Sequence, residues 1–367
     1  MVIMRFPRFF LCLFILGFLS PPVFAGEGFG AVQHMLFVAG RDAQSVAVID
    51  TNLDQVVGHL DLGLVPRQMV VSESLATLVA ADERTAGVAV VNLVGRSTRM
   101  VPLSFAPTRL LLSPDGVTLA AFDDAEGRVA LVDLLTIRET GRLAGPRRIR
   151  DAIFSGNGAA LFVAADSVEG VAVLGLGAGR PTALIQGPTT FALARSPNGR
   201  DGFALARGAV LHFDLGAGSE LKSAPAPEVG GLFLSGTGQT LMLPAPDAAT
   251  VTLVSAGSFG QSAPLKAARG VAAVYSAWFD TVAFAPDDSG ALQVYDLEHR
   301  ARTGSIALGG VAGAGTVTPD GGKLYLPLER AGELVVVDTA QRRRLASVTV
   351  DIPPVRAVMA GGYGICH

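Results

Sequence analysis

The sequence predicts an all-β fold, a β-propeller with eight four-stranded blades. An apolar run, most often closed by aspartate, recurs every 39 to 42 residues, and each period contains four short strand-forming runs separated by turn residues. No helical period is seen after the first 25 residues. The recurring run begins at Val46, Val88, Val129, Val171, Val210, Val251, Leu292 and Leu334. A repeat of this length with four strands is typical of propeller blades.

The repeating unit is clearest in its last copy. A first run, 311–317, leads through the turn 318–321 to a second run, 323–328. The third run begins at Leu334, and a fourth covers 345–350. These residues are largely β-branched or apolar, and the connections carry Pro, Asp and Gly, so each unit is expected to form a four-stranded antiparallel sheet.

The blade count follows from the segments that remain at the two ends. Seven complete units begin near Leu64, Ala106, Pro146, Pro188, Glu228, Ala268 and Gly310. Three strands precede them, at 35–38, 46–49 and 56–60, and one follows, at 355–359. Together these four form an eighth blade that closes the ring and leaves no exposed sheet edge. Seven blades is the alternative, if the weak unit around 230–267 is not a blade.

The last unit resembles the YVTN-type β-propeller repeat family. The segment TPDGGKLYLPLERAGELVVVDTAQRRRLASVTV, from Thr318, carries the family's turn, its Leu-Tyr strand and its Val-rich strand ending in Asp. Segments from Leu111 and Leu36 are similar, and the resemblance covers essentially the whole mature chain. It implies a propeller fold, on which binding, scaffolding and enzymatic functions all occur. One stretch departs from the pattern, since Trp278 stands where a turn is expected.

Residues 1–25 resemble a secretory signal. Arg5 and Arg8 precede an apolar run too short to span a bilayer, and Val23-Phe24-Ala25 resembles a cleavage site. The mature domain, 26–367, is therefore expected to be periplasmic or secreted, with no membrane span and as a monomer. Without those two arginines, 27 basic residues face 32 acidic ones, which argues against nucleic acid as a partner.

Arginines recur at one position of consecutive units, four or five residues before the first turn. In a propeller this position borders one mouth of the central channel, so a half-ring of guanidinium groups is predicted there. Its members are Arg67, Arg109, Arg150 and Arg356, with Gln68 and Asp151 beside them and Arg269 as a possible extension. Arginine binds carboxylates and phosphates in a bidentate manner, which predicts an anion site. Alternatively, these arginines pair with acidic loops of the blades.

Acidic residues also recur at two repeat positions. One set follows the second strand and comprises Asp42, Asp82, Asp123, Asp124, Asp166, Asp247, Asp287, Asp288 and Glu329. The other ends the third strand and comprises Asp50, Asp133, Asp214, Asp296 and Asp338, with Asn92 and Ser255 as substitutes. A recurring acid more often caps backbone amides than performs chemistry, so both sets are interpreted as structural.

The C-terminal tail, 361–367, is not explained by the repeat. A thiol at Cys366 beside the imidazole of His367 could bind a soft metal or form an intermolecular disulfide, or have no special role. The first cysteine of a haem-attachment motif is missing. The tail is expected on the face opposite the arginines.

Three functions remain open at this point. The favoured one is a non-catalytic binding or accessory module for a protein or an anionic small molecule, because no catalytic motif is present. The second is binding or maturation of a redox cofactor, since eight-bladed propellers can hold pyrroloquinoline quinone or haem d1. The third is a lactonase-type hydrolase, which would need an acid or metal cluster at the mouth, with Asp82 and Asp123 as candidates.

Overall fold

The computed structural model describes residues 31–226, 230–261 and 263–361, which form eight four-stranded antiparallel sheets arranged in a ring. The prediction of an eight-bladed propeller is confirmed, and the alternative of seven blades is wrong. The doubtful unit around 230–267 is a true blade, although its innermost and outermost strands have only two residues each.

Blades are numbered I to VIII around the ring, and each is given from its innermost to its outermost strand. Blade I contains β32 (Pro354–Met359), β1 (Met35–Gly40), β2 (Ser45–Asp50) and β3 (Gln55–Asp61). Blade II contains β4 (Gln68–Ser72), β5 (Thr77–Ala81), β6 (Gly87–Asn92) and β7 (Ser97–Pro102). Blade III contains β8 (Arg109–Leu112), β9 (Thr118–Asp123), β10 (Arg128–Asp133) and β11 (Arg138–Ala144). Blade IV contains β12 (Ile149–Phe154), β13 (Ala160–Ala165), β14 (Val171–Gly175) and β15 (Pro181–Ile185).

The second half of the ring repeats this order. Blade V contains β16 (Thr190–Arg195), β17 (Asp201–Ala206), β18 (Ala209–Asp214) and β19 (Ser219–Pro225). Blade VI contains β20 (Phe233–Leu234), β21 (Thr240–Ala245), β22 (Thr250–Ser255) and β23 (Leu265–Lys266). Blade VII contains β24 (Tyr275–Ala277), β25 (Val282–Pro286), β26 (Ala291–Asp296) and β27 (Ala301–Ala307). Blade VIII contains β28 (Thr316–Val317), β29 (Lys323–Leu328), β30 (Glu333–Asp338) and β31 (Arg343–Thr349), and two 3₁₀ turns cover Val32–His34 and Glu329–Ala331.

The hydrophobic core lies between neighbouring blades rather than at one centre. Along β30, Val335 and Val337 pack towards blade VII, whereas Leu334 and Val336 pack towards blade I. Alternate side chains of a strand point to opposite faces, and both faces of this sheet are covered. Because both faces of the sheet are buried, consecutive residues in the middle of the strand are all apolar rather than alternating with polar ones.

The two ends of the described chain meet in blade I. Strand β32 pairs with β1 in an antiparallel register in which Leu36 lies opposite Met359 and Val38 opposite Ala357. The predicted closure of the ring is therefore confirmed. It gives every blade two neighbours and protects its sheet faces.

Residues that end the third strands cap the turns that follow. The Asp50 carboxylate accepts the Asn52 N–H at 2.8 Å, and Asp133 accepts the Leu135 N–H at the same distance. The equivalent bonds are made by Asn92, Asp214, Ser255, Asp296 and Asp338. The structural interpretation of this set agrees with these contacts.

The turn at Trp278 differs from its counterparts. Trp278, Phe279 and Asp280 have φ values of 45°, 54° and 59°, a left-handed conformation that non-glycine residues seldom adopt in succession. The Asp280 carboxylate accepts the Gly236 and Thr237 N–H groups of blade VI at 2.9 and 2.8 Å, which holds the turn in place. The two aromatic rings lie edge to face on the surface. Trp278 is thus in an exposed turn, as its repeat position indicated.

A polar contact links blade VIII to the closing blade. The Lys323 ammonium lies 2.7 Å from the Asp54 carboxylate and 2.8 Å from the Thr51 carbonyl oxygen, and the Tyr325 hydroxyl also donates to Asp54. Burial and the adjacent Asp54 carboxylate raise the pKa of Tyr325. This contact joins strand β29 of blade VIII to the β2–β3 turn of blade I. These two segments lie far apart in the sequence, so the contact adds a link between the blades at a place where the chain itself provides none.

Replacing Asp54 by asparagine is expected to weaken this junction. Asparagine tolerates the positive φ of 52° at this position but removes the charge that Lys323 binds. The free energy of unfolding in urea should fall by about 1.5–3 kcal/mol, the usual worth of hydrogen bonds to a charged group. Asp133→Asn, which alters a turn cap without an ion pair, is the control and should cost much less. Equal losses in both variants would contradict the assigned role.

Candidate functional site

The innermost strands place one residue from each blade at the same height of the channel. We name these eight residues the mouth row. They are Gln68, Arg109, Asp151, Ala192, Gly231, Ala273, Ala314 and Arg356, identified from the pairing of each inner strand with the second strand of its blade. Blades I to IV therefore contribute polar side chains to the mouth, whereas blades V to VIII contribute only alanine and glycine.

Arg109 forms ion pairs with two carboxylates of the protein. Its guanidinium lies 2.9 Å from the Asp151 carboxylate of blade IV and 3.3 Å from Asp124 of its own blade, and it donates to the Arg150 carbonyl oxygen at 2.8 Å. With these acceptors in place, Arg109 has little capacity left for a ligand. Its role is to join two blades.

Arg67 and Arg150 lie one residue outside the mouth row and are more exposed. Arg150 pairs with Asp166 at 2.7 Å, and Arg67 approaches Asp42 at 3.8 Å. Both contacts agree with the alternative interpretation of the sequence, in which these arginines pair with acidic residues of the blade loops. A pair at 3.8 Å between exposed side chains contributes little and leaves Arg67 accessible.

Arg356 differs from the other three arginines. Within the described part of the chain, its guanidinium makes no hydrogen bond or ion pair, although the side chain is only half-exposed. Burial lowers the pKa of Arg356 from the ordinary arginine value. A desolvated cation without a counter-ion is unfavourable, so Arg356 is expected to reduce the stability of the ligand-free protein.

The residue that follows Arg356 in the mouth row explains its lack of a partner. Arg109 meets Asp151 of the next blade, but the corresponding residue next to Arg356 is Gln68, which carries no charge. The acidic residue of the blade I loop, Asp42, lies 3.8 Å from the Arg67 guanidinium and makes no ion pair with Arg356. A single change of residue type, from aspartate to glutamine, thus leaves one arginine of the row unpaired.

A cavity of about 430 Å³ lies on the alanine and glycine side of the mouth, and the acidic residues Asp287 and Asp288 form part of its lining. Its lining includes Tyr275 and Ala314, and both are neighbours of Arg356, since Ala314 forms a backbone bridge with it and Tyr275 interacts with its charge. The Tyr275 hydroxyl accepts the Gly315 N–H at 3.0 Å, so its proton remains free to donate. The volume falls in the range of small-molecule sites.

A second depression of about 950 Å³ lies on the same face between blades IV and VI. Arg150, Asp166 and Arg207 line it. Arg150 is neutralised by Asp166, and Arg207 is exposed to solvent, so this depression offers no desolvated charge.

Asp151 is the most buried carboxylate of the mouth. Besides Arg109, it accepts the Ala152 N–H at 2.9 Å and the Leu193 N–H of blade V at 2.8 Å. Burial raises the pKa of Asp151 to about 6, against the lowering effect of Arg109 and the two amides. Arg109, Asp151 and Leu193 thereby connect the inner strands of blades III, IV and V.

Seven of the nine loop acids have a partner for their carboxylate, and Asp247 and Asp288 have none among the described residues. Asp82 accepts the Arg84 N–H at 3.1 Å and also binds Thr85, Asp123 pairs with Arg128, and Glu329 pairs with Arg41. Asp287 binds Ser289 and Gln293. These contacts support the structural interpretation for the acids that make them.

Other candidates lie elsewhere. Cys366 and His367 are outside the described residues. Gly361, which leads to them, lies beside Pro319 in a turn of the face opposite the arginines. Within 31–226, 230–261 and 263–361, no group of three His, Cys, Asp or Glu residues could hold a metal ion. Over the same residues, no helix is long and apolar enough to cross a membrane.

The pKa of Asp151 predicts a pH-dependent stability. Folding raises the pKa of Asp151, so its protonated form stabilises the folded state. This stabilisation is complete at pH values below the ordinary aspartate pKa and is lost as the pH rises through about 6. The free energy of unfolding in urea is measured for wild type and for Asp151→Asn at pH 5 and at pH 8. The difference between the two proteins should shift by about 1 kcal/mol against wild type from the lower to the higher pH. Asp124→Asn, which removes the other carboxylate on Arg109, is measured alongside. Parallel pH profiles of wild type and Asp151→Asn would contradict the assignment.

Solved structures share this fold at low sequence identity. The chain is similar to dihydro-haem d1 dehydrogenase NirN in complex with DHE, with a TM-score of 0.73 and 15% identity over 91% of this chain and 77% of that one. It is also similar to apo AztD from Citrobacter koseri, with a TM-score of 0.70 and 16% identity over 90% and 98%. For hydrazine synthase from Kuenenia stuttgartiensis the TM-score is 0.56, at 15% identity over 84% and 93%. No family model and no curated protein matches the chain. These similarities identify the β-propeller fold and extend no further.

Proposed function

We propose that this protein is an exported, non-catalytic binding module that holds a carboxylate-bearing small molecule at the channel mouth. Arg356 is its principal contact. The observation that carries the proposal is the partly desolvated guanidinium of Arg356, which has no counter-ion among the described residues. A cavity of about 430 Å³ lies near it, since Ala314 of the cavity lining forms a backbone bridge with Arg356. Export rests on the pattern of residues 1–25, and membership of the YVTN-type family rests on the repeat.

The guanidinium of Arg356 favours a carboxylate, whereas the Asp287 and Asp288 carboxylates of the cavity lining disfavour further negative charge beside them. Arginine binds carboxylates through two parallel hydrogen bonds, and such bonds strengthen where water is excluded. The free proton of the Tyr275 hydroxyl, close to Arg356, could supply a further hydrogen bond. Alanine and glycine on blades V to VIII leave room for the body of the ligand.

The remaining arginines of the predicted half-ring have supporting roles in this proposal. Arg109 joins blades III and IV through its ion pair with Asp151, and Arg150 forms an ion pair with Asp166. Neither is therefore expected to be a principal contact of the ligand. Arg67, whose contact with Asp42 is long, adds positive potential at the entrance.

A redox cofactor with several carboxylates is the second candidate. NirN, a dihydro-haem d1 dehydrogenase whose structure was solved in complex with DHE, shares the propeller fold with this chain. The mouth could hold such carboxylates through Arg356. However, none of the described inner strands contains a histidine, which favours a quinone or a free tetrapyrrole over a haem ligated by a histidine of these strands.

Calorimetric titration with citrate tests the proposal. Arg356→Gln should weaken citrate binding by about 10- to 100-fold, because a hydrogen bond to a charged group is lost, and Arg356→Lys should lose less. Arg99→Gln, on an exposed outer strand, is the control and should bind as wild type. The ligand-free Arg356→Gln variant should be at least as stable as wild type, since an unpaired charge is removed.

Two results would contradict this account. One is the absence of citrate binding to the wild-type protein, and the other is an unchanged affinity in Arg356→Gln. For the second candidate, the absorption spectrum of protein purified from its natural source should show a visible band that Arg356→Gln diminishes.

A further inference from the structure

A second row of residues lines the opposite end of the channel. We name it the lower row, and it consists of the inner-strand residues just before the first turn of each blade. They are Val71, Leu112, Phe154, Arg195, Leu234, Ser276, Val317 and Met359. Six of the eight are apolar, one is a serine and one is an arginine. Arg195 is thus the single charge of this row.

Arg195 has no counter-ion in the described part of the chain. Its side chain is half-buried on β16, and it makes no hydrogen bond or ion pair. Burial lowers the pKa of Arg195, and no carboxylate opposes that effect. A valine, leucine or methionine, as in other blades, would fill this position without that cost.

The two unpaired arginines lie at different heights on opposite sides of the channel. Arg356 belongs to blade I and Arg195 to blade V, four blades away in a ring of eight. Their positions on the inner strands differ by three residues, which corresponds to an axial offset of about 10 Å at the rise of a β-strand.

The wall between the two arginines is largely apolar and is accessible to solvent on three of the eight blades. At the intermediate height, Val70, Phe233 and Val358 are half-buried rather than buried, so the channel is not filled there. The other five blades contribute buried residues at this height, namely Leu111, Ile153, Ala194, Tyr275 and Thr316. The channel thus presents a cation, an apolar stretch and a second cation in turn.

We propose that the channel binds an extended dianion, with one carboxylate at Arg356, an apolar body along the wall and a second carboxylate at Arg195. The inference rests on the proposed function, because Arg356 is the shared contact. It adds Arg195 as a second binding residue and a long dicarboxylate as the ligand class. Two fixed charges at this separation would select against monocarboxylates and short dicarboxylates.

Calorimetric titrations of the full chain with dodecanedioate, dodecanoate and succinate test this inference. Wild type should bind dodecanedioate at least about tenfold more tightly than dodecanoate, because only the dianion reaches both arginines. Arg195→Gln should reduce dodecanedioate affinity to that of dodecanoate and leave succinate unaffected. Arg195→Lys should recover part of the loss, and Arg99→Gln should match wild type.

The outcomes separate this inference from the proposed function. If Arg356→Gln loses dodecanedioate but Arg195→Gln does not, the extended dianion is wrong and the site at Arg356 stands. If citrate binds but dodecanedioate does not, the extended dianion is wrong and the site at Arg356 stands. If neither binds, or if Arg356→Gln changes the affinity for neither, both are wrong. Should Arg195→Gln fail to fold, the wild-type comparison still decides, since equal affinities for dodecanedioate and dodecanoate would overturn the inference.

Discussion

The antiparallel pairing of β1 with β32 is the constraint on which the rest of the structure depends. It joins the start and end of the described chain, so the eight sheets form a closed ring and each sheet is buried on both faces. Closure also fixes the height of every inner strand relative to its neighbours. The residues at the channel are therefore set by β-sheet register, and a slip of one residue would exchange channel and core positions.

Given that register, the chemistry of the channel depends on a few departures from the repeat. Aspartate at 151 binds Arg109, whereas glutamine at 68 leaves Arg356 without a partner. Arg195 likewise replaces the apolar residue found in most blades of the lower row. Neither Arg356 nor Arg195 has a counter-ion among the described residues, so both are expected to reduce stability in the absence of a ligand, as is common for residues of binding sites.

The sequence predicted the fold well because its signals are local and repeated. The spacing of the Val-rich strands gave eight blades, and the unpaired strands at both ends gave the closure of the ring. The site was predicted only in part, since four arginines were treated as equivalent. Arg109 and Arg356 differ through side chains of neighbouring blades, about 40 residues apart in sequence. Arg195 was missed, although a charge in a row of apolar residues was visible in the aligned repeats.

A crystal structure of the protein grown with citrate would test the central claim most directly. The account predicts a carboxylate on the Arg356 guanidinium, within reach of the Tyr275 hydroxyl, while Arg109 remains paired with Asp151. It would be contradicted if Arg356 turned to a protein carboxylate and citrate bound elsewhere, because the mouth would then hold no free cation.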